Sequence, residues 1–337
     1  MTHWLIFVEF AALALVIGVS GYFLSLYGDV IAEKTGLGGT WIGIAMLATV
    51  TSLPELVTGV SAVTYVNVPN IALGDALGSC VFNLLLIVLL DFLHRGASVY
   101  TRISQGHILS AGFGVVLLGF VAFNLVLNQH GINLSFWHVG IYSPIIVLFY
   151  MFAMRTVFRY EKALRLEIVE GIAERYPKIS LAKALTFFSL AAVVVVLAGI
   201  RLPVTAEHLA EAMGWQRSFV GTVFVAMATS LPEVAVTVSA LRIGALDMAI
   251  SDLLGSNLFD LVIIAIDDMA YLKGPILANV SPVHLVTSQS AIMMTGIAIV
   301  GLLYRPQQRL FKTVGWGSLF MLIIYILNLS VLYLQHE

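Results

Sequence analysis

Apolar residues run along this chain in blocks separated by short polar breaks, and the blocks match the roughly 20 residues that a helix needs to cross a hydrocarbon layer of about 30 Å. The pattern predicts ten spans, near 4–27, 38–64, 68–90, 107–128, 138–158, 183–202, 216–241, 246–267, 284–304 and 312–334. The run from Trp4 to Tyr27 has no Lys or Arg before it and no small-residue cleavage pattern behind it, so it reads as a retained first span. The expected fold is an all-α polytopic membrane protein.

A repeat organises these spans. Trp41 to Glu55 returns as Phe219 to Glu233, both copies ending in Thr-Ser-Leu-Pro-Glu, and Gly78-Ser-Cys-Val-Phe-Asn83 returns as Gly255-Ser-Asn-Leu-Phe-Asp260. Asp75 and Asp252 stand at matching places just before. Each copy fills the second and third spans of a five-span half, and an odd number of spans makes the second half enter the bilayer from the opposite side. The expected division is a first half over 1–158 (repeat about 41–91), a cytoplasmic connecting loop over 159–182, and an inverted second half over 183–337 (repeat about 219–268).

Charge orients this plan. With loops numbered alternately, one side collects Lys34, Arg95, Arg102, Arg155, Arg159, Lys162, Arg165, Arg175, Lys178, Lys183, Arg242, Arg305, Arg309 and Lys312, and the other has only Arg201, Arg217 and Lys273. Basic residues near span ends stay on the cytoplasmic side, which places both termini outside. The long connection interleaves Glu161, Glu167, Glu170 and Glu174 with its bases, the pattern of a solvated or interfacial linker.

Composition narrows the classes further. At 60% hydrophobic and 11% charged, the chain has too little polar surface for a soluble globule, and a net charge of -2 gives no sign of a nucleic-acid partner. The lipid bilayer is the partner it demands. The single cysteine, Cys80, allows no intrachain disulfide and no thiolate zinc site. His94, His107, His130, His138, His208 and His284 fall near span ends and are expected at the interface. Trp4, Trp41, Trp137, Trp215 and Trp316 are placed as belt anchors. Asp267 and Asp268 are expected to form the solvated end of the eighth span, or else to attract cations there.

Pro54 and Pro232 each remove one helical N–H, so the carbonyls near Val50 and Ala228 should be freed, and both prolines are expected to face the bundle centre. Helical spacing sets Thr51 and Ser52 with Glu55, and Thr229 and Ser230 with Glu233. Ser79 and Asn83, like Ser256 and Asp260, are one turn apart. Packed antiparallel at mid-bilayer, these faces would make an all-oxygen pocket suited to Ca²⁺ or Na⁺ rather than a transition metal. Glu55, Glu233 and Asp260 are too costly to leave ionised and unpaired in a membrane. A site filled either by Ca²⁺ or by several monovalent ions on the same carboxylates exchanges one set for the other, without a cofactor.

At these two Thr-Ser-Leu-Pro-Glu motifs and the Gly-Ser motifs that follow them, the chain resembles the cation/Ca²⁺ exchanger superfamily, particularly its prokaryotic sodium/calcium exchangers. The resemblance implies a secondary antiporter of the prokaryotic inner membrane that works by alternating access. It further implies that Glu55 and Glu233 bind a central Ca²⁺. Thr51, Ser52, Ser79, Asn83, Thr229, Ser230, Ser256 and Asp260 would supply the surrounding Na⁺ and Ca²⁺ ligands, joined by the carbonyls of Ala48 and Ala226. The Asn83/Asp260 asymmetry matches Na⁺-coupled members, and the Gly-Asn-x-x-Glu pattern of the H⁺-coupled branch is missing. H⁺ coupling and K⁺ dependence stay open as alternatives, since Asp260 resembles the residue of K⁺-dependent relatives.

Two departures stand out: Cys80 where the second half has Asn257, and the added pair Asp75 and Asp252. The pair either lines the access passages or lies exposed at the membrane interface. Two other classes are weighed. An intramembrane aspartyl protease, suggested by Leu73-Gly-Asp75, needs one proton-sharing Asp pair rather than two Thr-Ser-Leu-Pro-Glu copies. A cation channel could use the same oxygens as a filter, but would pass ions with no counter-ion offered. The reading is of a transporter, not an enzyme, and a monomer is compatible with it.

Overall fold

The computed structural model of the chain describes residues 3–35, 47–94, 98–165, 176–306, 309–310 and 314–335. The first half runs α1 (His3–Lys34), a helical turn over 47–51 (α2), α3 (Leu53–Val66), α4 (Pro69–Leu93), α5 (His107–Gln129), a short hairpin β1 (Ser135–Phe136) and β2 (Val139–Gly140), and α6 (Tyr142–Arg165). The second half runs α7 (Leu181–Met213), α8 (Arg217–Thr229), α9 (Leu231–Ile243), α10 (Leu246–Ala270), α11 (His284–Tyr304), a hairpin β3 (Arg309–Leu310) and β4 (Val314–Gly315), and α12 (Trp316–Leu334).

The protein is an all-α polytopic membrane protein. Among the described residues seven helices (α1, α4, α5, α7, α10, α11, α12) are long and apolar enough to cross a bilayer, and α8 with α9, bent by 46° at their junction, counts as an eighth. The expected span 38–64 lies partly outside the described residues. The expected span 138–158 corresponds to α6, 24 residues long, whose second half carries Arg155 and Arg159. At 32 and 33 residues α1 and α7 exceed the roughly 20 that a span requires, so they can cross at a tilt.

The same local defect appears twice. Ser52 (φ -83°, ψ 11°) separates α2 from α3, and Ser230 (φ -83°, ψ 12°) separates α8 from α9. In each case the following helix opens with Leu-Pro: proline is tolerated in a first turn, where its missing N–H has no helical partner to lose. π-helical turns add to the irregularity, over Ala62–Val66 at the end of α3 and Val220–Val225 within α8.

The central helices α4 and α10 are buried along most of their length and pack against each other. Glycines let the broken helices approach them at backbone distance. A Cβ on Gly78 would lie 2.5 Å from the Thr222 carbonyl oxygen, and one on Gly255 would lie 2.9 Å from the Ala48 Cβ. On the outside, α1 packs along α7. Gly21 of α1 receives the Pro232 ring so closely that a Cβ there would sit 2.1 Å from Pro232 Cγ. Pro232 therefore faces α1, contrary to the expectation that both prolines face the bundle centre. Its neighbours Ser230 and Glu233 point inward because they lie at other angles around the helix.

Each central helix ends on an aspartate that ties down distant backbone. Asp268 accepts from Gly140 N (2.8 Å), Tyr142 Oη (2.7 Å), Ser143 Oγ (2.5 Å) and Ile276 N (2.7 Å). Asp91 accepts from Ser98 Oγ (3.2 Å), Val99 N (3.1 Å), Gly315 N (2.8 Å) and Ser318 Oγ (2.8 Å). The donors match: a short 3-10 turn after the helix, and the Val-Gly strand with its following serine before α6 or α12. Asp267 and Asp268, expected as a solvated terminus, are both buried, because the turn and hairpin close over the end of α10.

Two of the six histidines expected at the interface are enclosed instead. His107 meets Asp247 at 3.0 Å, and His284 meets the Asn70 side-chain oxygen at 3.1 Å. Trp4, Trp137 and Trp316 are exposed, whereas Trp215 stacks on Phe224 with ring centroids 5.1 Å apart. Trp41 lies outside the described residues.

Candidate functional site: an oxygen cluster at two helix breaks

The helix breaks at Ser52 and Ser230 set side chains of α2 and α3 against α10, and those of α8 and α9 against α4. Thr51, Ser52, Glu55, Ser79, Asn83, Thr229, Ser230, Glu233, Ser256 and Asp260 are all buried, as are Ala48 and Ala226. Contacts cross between the halves. Ser230 Oγ donates to Glu55 Oε1 (3.1 Å) and lies 3.0 Å from Ser79 Oγ. In the matching place Thr51 Oγ1 and Ser256 Oγ are 3.1 Å apart. The hydroxyls of Thr51 and Ser256 face Glu233 without meeting hydrogen-bond geometry, and Ser52 stands likewise beside Asp260.

The carbonyls expected to join the site carry donors. Ala48 O accepts from Thr51 Oγ1 (3.0 Å), Ser52 N (3.2 Å) and, more distantly, Ser256 Oγ (3.4 Å). Ala226 O accepts from Ser230 N (3.0 Å), and Thr229 Oγ1 lies 3.2 Å away. A hydroxyl that donates to such a carbonyl keeps its own lone pairs, so the hydroxyl oxygen remains available to a cation.

Asp75 and Asp252 belong inside this cluster. Thr229 Oγ1 donates to Asp75 Oδ1 (2.8 Å), and Thr51 Oγ1 lies 3.4 Å from Asp252 Oδ1. Burial of both carboxylates excludes the alternative in which they are exposed at the membrane interface. Their inward position follows from spacing: Asp75 is one turn before Ser79 on α4, and Asp252 one turn before Ser256 on α10.

Asn257 is a participant that sequence reasoning passed over. Its Oδ1 accepts from Asn83 Nδ2 (3.0 Å), and its Nδ2 donates to the Cys80 carbonyl (3.2 Å). The Cys80 thiol reaches toward Asp260 Oδ2 (3.9 Å). The pairing of Cys80 with Asn257 at equivalent places in the repeat was the available signal, since equivalent residues near a two-fold axis tend to meet.

Several buried oxygens have no hydrogen-bond partner: Ser52 Oγ, Glu55 Oε2, Asp75 Oδ2, Asn83 Oδ1, both Glu233 oxygens, Asp252 Oδ2 and Asp260 Oδ1. An unsatisfied buried carboxylate is expensive enough that some positive charge must answer it. Among the described residues no Lys or Arg is buried. Nor do any three Asp, Glu, His or Cys side chains form a compact metal cage among them. The carboxylates stand apart with hydroxyls between them, and a cation would be met by carboxylate, hydroxyl, amide and carbonyl oxygens together, the donor set of Ca²⁺ and Na⁺.

The model of the family described as "Sodium/calcium exchanger protein" matches residues 5–174 and 176–334. The uncharacterized membrane protein MJ0091 of Methanocaldococcus jannaschii is 27% identical over 331 residues, covering 94% of this chain and 99% of that protein. The inner membrane protein YrbG of Escherichia coli K12 is 26% identical over 238 residues, 70% of each chain. Among solved structures, the sodium-calcium exchanger NCX_Mj aligns with a TM-score of 0.61 at 22% identity, covering 98% of this chain and 99% of that one. The H⁺/Ca²⁺ exchanger CAX aligns at 0.70 and 14% identity, covering 97% and 84%. At these identities the structural likenesses speak for the fold.

Proposed function

The chain belongs to the sodium/calcium exchanger protein family, and from that premise we propose that it exchanges Ca²⁺ for Na⁺ by alternating access, through the oxygen cluster at the two helix breaks. It is an integral membrane transporter, not an enzyme. The observation that carries the assignment is that Glu55 and Glu233, one from each broken helix, lie buried with unbonded oxygens among hydroxyls of the opposite half.

Glu55 and Glu233 provide the charge for Ca²⁺. Thr51, Ser52, Ser79, Asn83, Thr229, Ser230, Ser256 and Asp260, with the Ala48 and Ala226 carbonyls, complete the Na⁺ and Ca²⁺ positions. Ca²⁺ takes 6–8 oxygens, a number that draws in both halves at once. Sharing carboxylates makes full occupancy by both ions too positive, and an empty site too negative to cross the bilayer. Each ion therefore leaves as the other arrives.

The two five-helix halves, 1–158 and 183–337 with the linker 159–182, are inverted copies. Their reciprocal contacts, Thr51 with Asp252 and Thr229 with Asp75, support this. The cytoplasmic excess of Lys and Arg puts both termini outside. The inner-membrane naming of YrbG supports the same location here.

The test is uptake of radioactive Ca²⁺ into everted membrane vesicles under an imposed Na⁺, K⁺ or H⁺ gradient. A Na⁺ gradient alone suffices on this reading, and uptake driven only by H⁺, or only with K⁺ present, replaces it. Glu55→Gln and Glu233→Gln each reduce uptake by at least about tenfold, since each removes a charged ligand. Intact uptake in either variant overturns the site assignment.

A further inference from the structure

Eight carboxylates are buried among the described residues: Glu55, Asp75, Asp91, Glu233, Asp252, Asp260, Asp267 and Asp268. They fall into two kinds. Asp91 and Asp268 are each held by four neutral donors. The other six each retain at least one oxygen with no hydrogen-bond partner. Five of those six lie in the central cluster. The sixth, Asp267, does not, and both of its oxygens are without a partner.

Asp267 projects from the same face of α10 as Asp252, Ser256 and Asp260, two turns beyond Asp260, about 10 Å along the axis at 1.5 Å per residue. Its carboxylate rests on the backbone of α3 at Gly59, where a Cβ would stand 2.4 Å from Oδ2. Gly59 is one turn beyond Glu55 on α3. Within the central cluster, Asp75 also keeps its Oδ2 unbonded. The repeat gives no counterpart, because the position equivalent to Asp267 in α4 is Leu90. Among the described residues, unbonded acidic oxygens thus continue past the central cluster toward the α10 end, with no match at the α4 end.

We propose that Asp267 forms an additional metal-cation station between the central site and the face at which α10 ends. It takes Na⁺ or Ca²⁺ in transit, by direct carboxylate contact. Gly59, lacking a Cβ, leaves room on α3 for the Asp267 carboxylate. The station rests on the reading of the central cluster as the exchange site, and it makes the two access routes chemically unequal: ions approaching from the α10 end meet a carboxylate before the centre, and ions from the other face meet Leu90.

The test is Ca²⁺ exchange measured separately in right-side-out and everted vesicles for Asp267→Asn, which keeps size and shape, and for Gly59→Ala, which pushes the carboxylate aside. Removing one charged partner raises the half-saturating Ca²⁺ concentration by about fivefold or more from one face, with the other face changed by less than about twofold. Unchanged values at both faces, or equal shifts at both, overturn the proposal. A second measurement does not require transport. In detergent, Tb³⁺ titration of the full chain shows a weaker binding phase that Asp267→Asn lacks, and identical titrations in both proteins overturn it. If Asp267→Asn behaves as the parent while Glu55→Gln loses exchange, the station fails and the central site stands. Intact exchange in Glu55→Gln removes the central reading instead.

Discussion

Burial alone does not tell what a carboxylate does in this protein; its hydrogen-bond partners do. Asp268 and Asp260 are buried on the same helix, yet Asp268 is met by four donors and Asp260 keeps Oδ1 unbonded. Asp268→Ala or Asp91→Ala strands several buried donors and should cost about 3–5 kcal/mol, seen as a lower melting temperature in detergent with ion preference unchanged. Asp260→Asn should do the reverse, altering Na⁺ dependence of transport while melting within a few degrees of the parent. The duplicated Thr-Ser-Leu-Pro-Glu was legible because a repeat is visible without any structure. The roles of Asp91 and Asp268 were not, since their donors Gly315, Ser318, Gly140 and Ser143 lie 125 or more residues away in sequence. Only packing brings them in.

At the scale of elements, the helix breaks depend on two things, a serine with non-helical ψ and a close seat for the segment that follows. The prolines signalled a defect in each helix, but not where each ring would lie. For Pro232 that was decided by Gly21, a residue in a different span with no motif of its own. Gly21→Ala places a methyl group against the Pro232 ring and should displace α9 from α1, lowering the rate of exchange more than the affinity for Ca²⁺. Gly78→Ala meets the Thr222 carbonyl, which is backbone and cannot rotate away. Overpacking of this kind costs about 1–3 kcal/mol, so thermal melting should fall in that variant even at saturating Ca²⁺.

For the whole molecule, the unanswered negative charge ties stability to ions. Six buried carboxylates with open oxygens and no buried Lys or Arg among the described residues predict a folded state that binds cations the unfolded chain does not. Ca²⁺ at one hundred times its dissociation constant should add about 2.7 kcal/mol. Chelation in a medium free of Na⁺ should lower the melting temperature, and Glu55→Gln with Glu233→Gln should weaken that dependence. A melting temperature indifferent to Ca²⁺ and Na⁺ would contradict the charge argument. The membrane class and the helical fold followed from apolar block lengths alone, but the inward position of Asp75, Asp252 and Asp267 required knowing which helices are central.

The paired aspartate ties also bear on how loop backbone meets water. The amides of Val99, Gly315, Gly140 and Ile276 sit in turns and hairpins, where hydrogen normally trades for deuterium quickly, yet each is bonded to a buried carboxylate. These four connections should retain their protons as long as mid-helix residues do. Islands of slow isotope uptake would then mark both ends of the bundle, surrounded by fast-labelling neighbours.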